Sequence, residues 1–369
     1  MFVVHSQQCY ARPISEDKAC VIATRFYYMK KCGGNVEQAK LIRALNLIYS
    51  PQYGEQVRLT PPEYYIFSPD NNKGFVIVSG DDRAGQLIVG YSLDSPISNN
   101  LSSSMLGFLN CYTKYIEDLR KGKAEPKPQQ KSKTVTPLLK TTWGQYAPYN
   151  QHCPTLHGRK LATGCVTTAV AQIMKYHEWP TEGTGTCKAE IHNLDTTYTS
   201  VTLGETYNWS KMKDNYSSAT KRKTDDIARL MRDVGHAVKI MYSPVFSFAY
   251  SEHVIEALTA HFRYSHEARL IHRYRYSDNE WNHVITEELL SGRPVYYSSR
   301  STRFDGHAFV ICGIDEQGFF YTNWGWGGNC DGYFDFDAVT SDNTEYNYTQ
   351  SAIIGISPMR EQESVLLPE

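Results

Sequence analysis

The 369-residue sequence has no apolar run that approaches the roughly 18–20 residues needed to span a membrane as a helix. Its first residues, MFVVHSQQ, lack a basic region and are not a complete signal peptide, so the sequence leaves open whether an export signal has been removed. Neither sign of charge is in excess, because 38 Lys and Arg face 39 Asp and Glu, for a formal net charge of −1. We therefore expect no membrane partner and no nucleic-acid partner.

The cysteines never occur with C-x-x-C spacing, which argues against a structural zinc site and a thioredoxin-like redox pair. There are nine of them, so at least one is unpaired, and the sequence does not give the pairing of the others. They are scattered along the chain rather than clustered as in a disulfide scaffold, at Cys9, Cys20, Cys32, Cys111, Cys153, Cys165, Cys187, Cys312 and Cys330. Each is by default a small buried hydrophobe, so a reactive one must be identified by its surroundings.

Residues 1–120 have the pattern of a small α+β domain. Helical spacing of apolar residues predicts a helix at 15–32, capped by Ser15 and ended by Gly33-Gly34. Short apolar runs predict strands at 64–67, 74–80 and 86–92, and a second apolar face predicts a helix at about 103–120.

The next stretch, RKGKAEPKPQQKSKTVTP (120–137), differs in composition from both flanking regions. It is rich in Lys, Arg and Pro and has almost no apolar residues, so we expect an exposed linker at 121–137. A basic exposed linker is a good protease target, and it is equally a simple tether between two permanent domains.

Residues 138–369 form a larger second region. Helices are predicted at about 164–177, 224–235, 251–262 and 278–291, and β-type stretches follow: RPVYYSS, GHAFVICGID, GFFYTNW, GYFDF and SAIIGIS. Helices first and strands afterwards indicate the α+β class rather than an alternating parallel sheet.

One cysteine opens a helix that is otherwise suited to packing, within LATGCVTTAVAQIMKYHEWP (161–180). Gly164 permits a tight turn and the close approach of another backbone. The free N–H groups and positive dipole end of the helix favour a thiolate at Cys165, so we expect a lowered pKa for this thiol. A cysteine at a helix start is by itself more often a buried hydrophobe, so the assignment depends on a partner.

His307 is the candidate partner, because it precedes the apolar part of the strand GHAFVICGID instead of lying inside it. It follows Cys165 by 142 residues, and in papain-like enzymes the histidine follows the cysteine by roughly 130–150 residues. Asn323, 16 residues further on, is placed to hold the imidazole in the productive tautomer. The backbone N–H of Cys165 and the side-chain amide of Gln145 would bind a developing oxyanion.

Four stretches, WGQYAPYN, ATGCVTTAVAQIMKYHEWP, GHAFVICGID and NWGWGGNCDGYF, resemble the streptopain family of bacterial cysteine proteases, which includes interpain-type enzymes. The resemblance covers most of residues 138–357. The front region, with GFVIVSGDD and LIVGYS, resembles the inhibitory propeptide of that family. The resemblance implies a zymogen with an inhibitory propeptide at 1–120, a linker and maturation region at 121–137, and a papain-like α+β catalytic domain at 138–369.

The resemblance also implies roles for single residues. Cys165 matches the nucleophile, His307 the general base and acid, and Gln145 the oxyanion-binding glutamine. Trp324 matches the tryptophan that is discussed as orienting the histidine, and Asn323 stands next to it as a hydrogen-bond candidate. The family acts on proteins or peptides, is secreted or bound to the bacterial cell surface, is held latent by its own propeptide, and needs no metal or organic cofactor.

The stretch YSPVFSFAYS (242–251) departs from the family pattern, because Val245, Phe246 and Phe248 stand where the family is small and rich in Ser and Gly. It borders the pocket for a substrate side chain upstream of the scissile bond. We therefore take Phe248, Gly164 and Gly306 as substrate-binding candidates and do not carry over the family's specificity.

Two other functions fit the same residues: a transglutaminase-like cysteine acyltransferase, and a catalytically silent binding protein on the same fold. Amine incorporation would indicate the first, and slow alkylation of Cys165 would indicate the second. The natural substrate, the maturation bond and the oligomeric state do not follow from the sequence.

Overall fold

A computed structural model describes residues 13–33, 44–51, 61–127, 131–193, 195–216, 224–300, 306–336 and 350–359. The initial MFVVHSQQ and residues 128–130 of the predicted linker lie outside this set. The helices are α1 (Glu16–Lys31), α2 (Ser103–Arg120), α3 (Cys165–His177), α4 (Asp225–Ala237), α5 (Glu252–Glu256) and α6 (Asp278–Leu290). Within the described ranges, no helix is long and apolar enough to cross a membrane.

The strands are short and almost all antiparallel. They are β1 (Asn46–Tyr49), β2 (Tyr64–Ser68), β3 (Phe75–Ser79), β4 (Ile88–Ser92), β5 (Thr155–Leu156), β6 (Arg159–Lys160), β7 (Thr186–His192), β8 (Thr196–Thr202), β9 (Met241–Tyr242), β10 (Arg269–His272), β11 (Val295–Arg300), β12 (Gly306–Ile314), β13 (Phe320–Asn323), β14 (Gly332–Phe334) and β15 (Ser351–Ile354).

The described residues divide into two compact units. The first consists of the predicted front domain together with two segments from late in the sequence. Its strands run in the order β1-β2-β3-β4-β14, and α1 packs on β2 and β3. The helix α1 begins where the Ser15 side chain accepts from Lys18 N at 3.3 Å, and it buries Ala19, Ala23 and Tyr27. The predicted helices at 15–32 and 103–120 are confirmed.

The first unit also contains residues 317–319 and 332–336, which the predicted boundaries place in the catalytic domain. The reason is that β14 pairs with β4, with Tyr333 opposite Tyr91 and Phe334 opposite Gly90. A Cβ at Gly90 would come within 2.6 Å of the Phe334 ring, so the glycine makes room for that ring. Pairing between strands so distant in sequence leaves no local signal, and the strand stretch GYFDF was therefore predicted without its partner.

The second unit has a sheet in the order β13-β12-β11-β15-β10, with α3 packed against β12 and α4. Val166 to Met174 are all buried in α3, which explains the apolar and small residues of that stretch. The helix ends at His177, after which Glu178 adopts a left-handed φ of 49° and Pro180 follows.

The hairpin of β7 and β8 was not predicted from the sequence. Together with β9 it forms a separate three-stranded sheet. Only Cys187 and Ala189 are buried in β7, and β8 contains no buried residue, so the hydrophobic alternation is too weak to predict a strand. The helix predicted at 251–262 is present but changes type, because α5 continues into a π-helical turn at Ala257–His261.

The predicted linker is not a uniform tether. Its first part belongs to the first unit, where Lys127 N donates to the Tyr115 hydroxyl at 3.2 Å. Its last part belongs to the second unit, where the backbones of Val135 and Ile314 exchange hydrogen bonds of 2.8 and 2.9 Å. Each end of the linker is therefore held by hydrogen bonds of its own backbone groups.

Candidate active site

The thiol of Cys165 stands on the first residue of α3, after a turn that requires glycine. Gly164 has a φ of 80°, and a Cβ there would come within 2.9 Å of the Ser247 carbonyl oxygen. The Gly164 carbonyl accepts from both the backbone N–H and the hydroxyl of Thr168, at 3.1 and 3.0 Å. Cys165 is not in a disulfide, and the residue as a whole is partly exposed although its sulfur is buried.

Burial raises the pKa of the Cys165 thiol, although the backbone N–H groups of Ala308, Val166 and Cys165 itself favour the thiolate. The lowered pKa that we expected from the helix start is therefore wrong for this structure. The loss of water around the sulfur outweighs the effect of the amide donors, so the thiol keeps its proton at neutral pH.

His307 is the second residue of β12, opposite Ser299 of β11, and only 7% of it is exposed. The Trp326 ring stacks on its ring at 4.9 Å between centroids, and Phe309 lies at 6.1 Å. Burial lowers the pKa of His307 to about 4, although its hydrogen bond to Trp324 acts in the opposite direction. The imidazole is therefore neutral at pH 7.

The orientation of His307 is set by the backbone of Trp324. His307 Nε2 lies 2.9 Å from the Trp324 carbonyl oxygen. A carbonyl only accepts, so the proton of the neutral ring is on Nε2 and the lone pair is on Nδ1. The Trp324 ring also stacks against the imidazole, at 6.1 Å and 22°.

The structure brings Cys165 and the histidine strand together but forms no ion pair between them. The Ala308 amide, which acts on the Cys165 thiol, belongs to the residue that follows His307. Within the described ranges, no hydrogen bond joins Cys165 to His307. Because the thiol is protonated and the ring is neutral, this is an uncharged arrangement of the two groups.

Asn323 does not contact His307, so the hydrogen bond that we predicted between them is wrong. Asn323 Nδ2 donates to the Thr141 carbonyl oxygen at 2.7 Å. Asn323 Oδ1 accepts from Gln172 Nε2 at 2.9 Å and from Gly325 N at 3.0 Å. The carbonyl oxygen of the neighbouring residue takes the predicted role, a distinction between side chain and backbone that the sequence does not contain.

Gln145 lies beside the start of α3. Its carbonyl oxygen accepts from Thr163 N at 3.0 Å and from the Thr163 hydroxyl at 3.4 Å, two residues before Cys165. Its side chain is partly exposed and makes no hydrogen bond to another described residue. The side-chain amide is therefore not engaged elsewhere among the described residues, on a segment whose backbone is bonded two residues before Cys165.

The substrate-binding candidates border the same turn. Ser247, which contacts Gly164, precedes Phe248, and the backbones of Phe248 and Met241 exchange hydrogen bonds of 2.8 and 3.1 Å. The rings of Phe246, Phe248 and Tyr250 follow one another at 5.7 and 5.8 Å between centroids, and the first and last are exposed. Gly306 is exposed at the start of β12, next to His307.

A cluster of hydroxyl groups that includes a neighbour of Cys165 was not predicted from the sequence. The Ser251 hydroxyl lies 3.1 Å from the Tyr296 hydroxyl and 3.0 Å from that of Ser298, which in turn lies 2.8 Å from that of Ser351. Burial raises the pKa of Tyr296, and the nearby Cys165 adds to this shift. Serine and tyrosine are common in strands, so nothing in RPVYYSS marked these residues.

Asp331 is a second missed residue. It is 2% exposed, and its Oδ1 accepts from Trp324 N at 2.8 Å, so it holds the backbone that orients His307. Burial raises the pKa of Asp331 to about 7, against the effect of that hydrogen bond.

Asp331→Asn is expected to stabilise the protein increasingly as the pH rises. The pKa of this carboxyl rises from 3.8 to about 7 on folding, so the wild type loses stability as the pH increases through this range. Asn keeps an acceptor for the Trp324 N–H and carries no charge. Between pH 5 and pH 8, the difference in free energy of unfolding should grow by about 3 kcal/mol in favour of the variant. Denaturant unfolding of both full chains measures it, and a difference independent of pH would contradict the prediction.

Sequence comparison decides the family. Residues 143–334 match the Peptidase C10 family, and residues 11–116 match the family described as Spi protease inhibitor. This chain belongs to the Peptidase C10 family.

Peptidase C10 relatives match both parts of the chain. Streptopain of Streptococcus pyogenes serotype M28 is 34% identical, over 81% of this chain and 82% of that protein. The thiol protease/hemagglutinin PrtT of Porphyromonas gingivalis is 30% identical over 97% of this chain. The chain spans only 43% of the length of PrtT.

Two solved structures support the same conclusion. A prointerpain A fragment of Prevotella intermedia has a TM-score of 0.71 and 30% identity, over 86% of this chain and all of that one. Active interpain A has a TM-score of 0.53 and 35% identity, over 62% of this chain and 98% of that one. These matches confirm the predicted family, the papain-like α+β fold with a propeptide domain, and the classification as a cysteine endopeptidase. The chain combines a C10 protease with an inhibitor domain, as a zymogen does.

Proposed function

We propose that this chain is the zymogen of a cysteine endopeptidase in which Cys165 is the nucleophile and His307 is the general base and acid. The observation that carries the proposal is the placement of the Cys165 thiol at the start of α3, beside the strand that presents His307. The imidazole has its proton fixed on Nε2 by a carbonyl oxygen, so its other nitrogen is able to take up a proton.

In the active form, the proton of the Cys165 thiol passes to His307, and the thiolate attacks the carbonyl carbon of the scissile peptide. The carbonyl oxygen becomes an oxyanion, which the Cys165 N–H and the Gln145 amide stabilise. The His307 imidazolium gives its proton to the leaving amine as the C–N bond breaks, leaving a thioester. Water then attacks the thioester with His307 as base, which releases the acid and restores the thiol.

We propose that the inhibitor domain keeps the enzyme latent until the linker is cleaved, either by blocking the cleft or by displacing His307. The match of residues 11–116 to the Spi protease inhibitor family and the similarity to prointerpain A support this. Proteins or peptides outside the bacterial cell are the substrates we expect for an endopeptidase made with its own inhibitor.

His307→Ala is expected to slow the alkylation of Cys165 by iodoacetamide at pH 6 by about 100-fold in the matured chain, because the thiol then loses its imidazole base. The full chain, cleaved in the linker, is mixed with reagent, and modification of Cys165 is followed by mass spectrometry. His192→Ala, on the β7 hairpin and paired with Glu190, is the matched control and should react like the wild type. Equal rates in all three proteins would exclude the dyad.

A further inference from the structure

A glutamine lies on the buried side of the helix that carries the nucleophile. Gln172 is fully buried in α3, two turns after Cys165 and therefore on the same face of the helix. Its Oε1 accepts from the Thr141 hydroxyl at 2.8 Å and from Trp143 N at 3.2 Å, and its Nε2 donates to Asn323 Oδ1 at 2.9 Å. The backbone N–H of Trp143 can only donate, so the orientation of the Gln172 amide is fixed.

The amide of Asn323 is fixed in the same way. Its Oδ1 accepts from Gly325 N and its Nδ2 donates to the Thr141 carbonyl oxygen. A reversed amide would direct its NH₂ group at the Gly325 N–H and its oxygen at a carbonyl oxygen. Gln172 and Asn323 therefore form a buried pair of amides whose donors and acceptors are defined by backbone groups.

This pair reaches His307 through a single peptide group. The N–H of the peptide between Trp324 and Gly325 donates to Asn323 Oδ1, and its carbonyl oxygen lies 2.9 Å from His307 Nε2. A peptide whose N–H is hydrogen-bonded is a stronger acceptor at its oxygen. Asn323 thus acts on the imidazole through the backbone, without touching it.

Gln172 also links the segment before Gln145 to the helix that begins at Cys165. Thr141 and Trp143 lead into Gln145, the candidate oxyanion donor, and α3 begins at Cys165. The loop of Gly325 lies against this helix face, because a Cβ at Gly325 would come within 3.2 Å of the Thr168 side chain. One buried side chain therefore bonds directly to the segment that leads into Gln145 and to Asn323, and it belongs to the helix that begins at Cys165.

We propose that Gln172 is a positioning residue for peptide hydrolysis, which acts through Asn323 and the Trp324–Gly325 peptide to hold His307 in its reactive orientation. The inference rests on the proposed roles of Cys165 and His307. If Gln172 only stabilises the fold, its loss should lower the melting temperature and leave the chemistry of the folded enzyme unchanged.

Two substitutions at position 172 separate these roles. Gln172→Met keeps the length of the side chain and removes its hydrogen bonds, so kcat should fall about 100-fold while KM changes little. Gln172→Glu keeps the acceptor for Trp143 N but directs a carboxylate oxygen at Asn323 Oδ1. When protonated, the same carboxyl donates to that oxygen and restores the bond.

The expected signature is therefore a dependence on pH. Between pH 7.5 and pH 5.5, the kcat of Gln172→Glu relative to the wild type should rise at least about 10-fold, while the ratio for Gln172→Met stays flat. The titratable groups around this segment, Cys165, His307, Asp331, Cys312 and Cys330, are present in all three proteins, and the ratio for Gln172→Met is the control for their titration. The full chain is matured by cleavage in the linker, and rates are expressed per folded enzyme.

Tyr207→Phe is the matched control, because it removes a buried hydrogen bond of 3.0 Å, to Asp233 on α4, that has no link to the Gln172 amide. It should lower the melting temperature without changing kcat.

Wild-type kcat in both variants at position 172 would overturn the proposal, as would a flat pH ratio for Gln172→Glu. If Gln172→Met does not fold, Gln172→Glu and Asn323→Ser decide, and Asn323→Ser should also lower kcat. A wild-type enzyme without peptidase activity would instead refute the proposed function.

Discussion

Cys165→Ala is expected to reduce peptide hydrolysis by at least about 10⁴-fold and to stop self-maturation. The substitution removes the atom that attacks the peptide carbonyl, and neither the His307 ring nor the oxyanion donors can replace it. The change should leave the fold intact, because the thiol forms no disulfide and the Gly164 turn before it is unaltered. Hydrolysis of a peptide substrate, together with the mass of the stored chain, measures both effects.

The control for this variant is Cys32→Ala, which removes another partly exposed free thiol, at the end of α1. Its activity and maturation should equal those of the wild type. A further check is that matured wild-type enzyme cleaves the Cys165→Ala chain in its linker, which shows that the variant is folded and lacks only the nucleophile. Residual activity above about 1% in Cys165→Ala would contradict the proposed mechanism.

Cleavage of the linker is expected to raise peptidase activity by at least about 100-fold, because the inhibitor domain is then no longer held at the high effective concentration of a tethered segment. The structure narrows the expected position of the cut. Lys127 is bonded within the first unit, and Ser132 and Val135 are bonded within the second, so a protease is expected to act at Lys131, the exposed lysine between these contacts. Trypsin digestion, followed by mass spectrometry and a peptidase assay, tests position and activation together.

Two substitutions refine this test. Lys131→Gln should slow tryptic activation, whereas Lys133→Gln, two residues further along, should have little effect. Equal activity of the intact and cleaved chains would refute latency while leaving the assignment of Cys165 and His307 intact, since those residues are tested separately by alkylation.

The nucleophile and the base were identifiable because each breaks a local pattern: Cys165 opens a packing helix after Gly164, and His307 leads an apolar strand. The helices α1, α2, α3 and α6 were predictable for a similar reason, since their caps and periodicity lie within a few residues. By contrast, the β7–β8 hairpin buries few side chains, and the pairing of β14 with β4 joins distant parts of the chain. Neither feature produces a pattern that can be recognised within a few consecutive residues of the sequence.

The electrostatics of the site were not predictable in the same way. The start of a helix favours a thiolate, and that local effect is present at Cys165, but burial by the surrounding chain has the opposite sign and is larger. The hydrogen bond to His307 was expected from the Asn323 side chain and instead involves the carbonyl oxygen of Trp324, the other expected partner, because a backbone oxygen has no signature in sequence. Gln172 did leave a trace, as the one amide among the apolar and small residues of AVAQIM, but its partners became visible only in three dimensions.

The contact between Gly164 and Ser247 constrains any attempt to re-engineer selectivity. The aromatic segment that ends at Tyr250 is a candidate for replacement by loops from relatives, because the side chains of Val245 and Phe246 are exposed and can be substituted without disturbing the core. Ser247 does not offer the same freedom, because its carbonyl rests against the glycine that sets the sulfur in place. A donor loop of different length would transmit its backbone shift straight to the nucleophile, so grafts should preserve the spacing on both sides of residue 247.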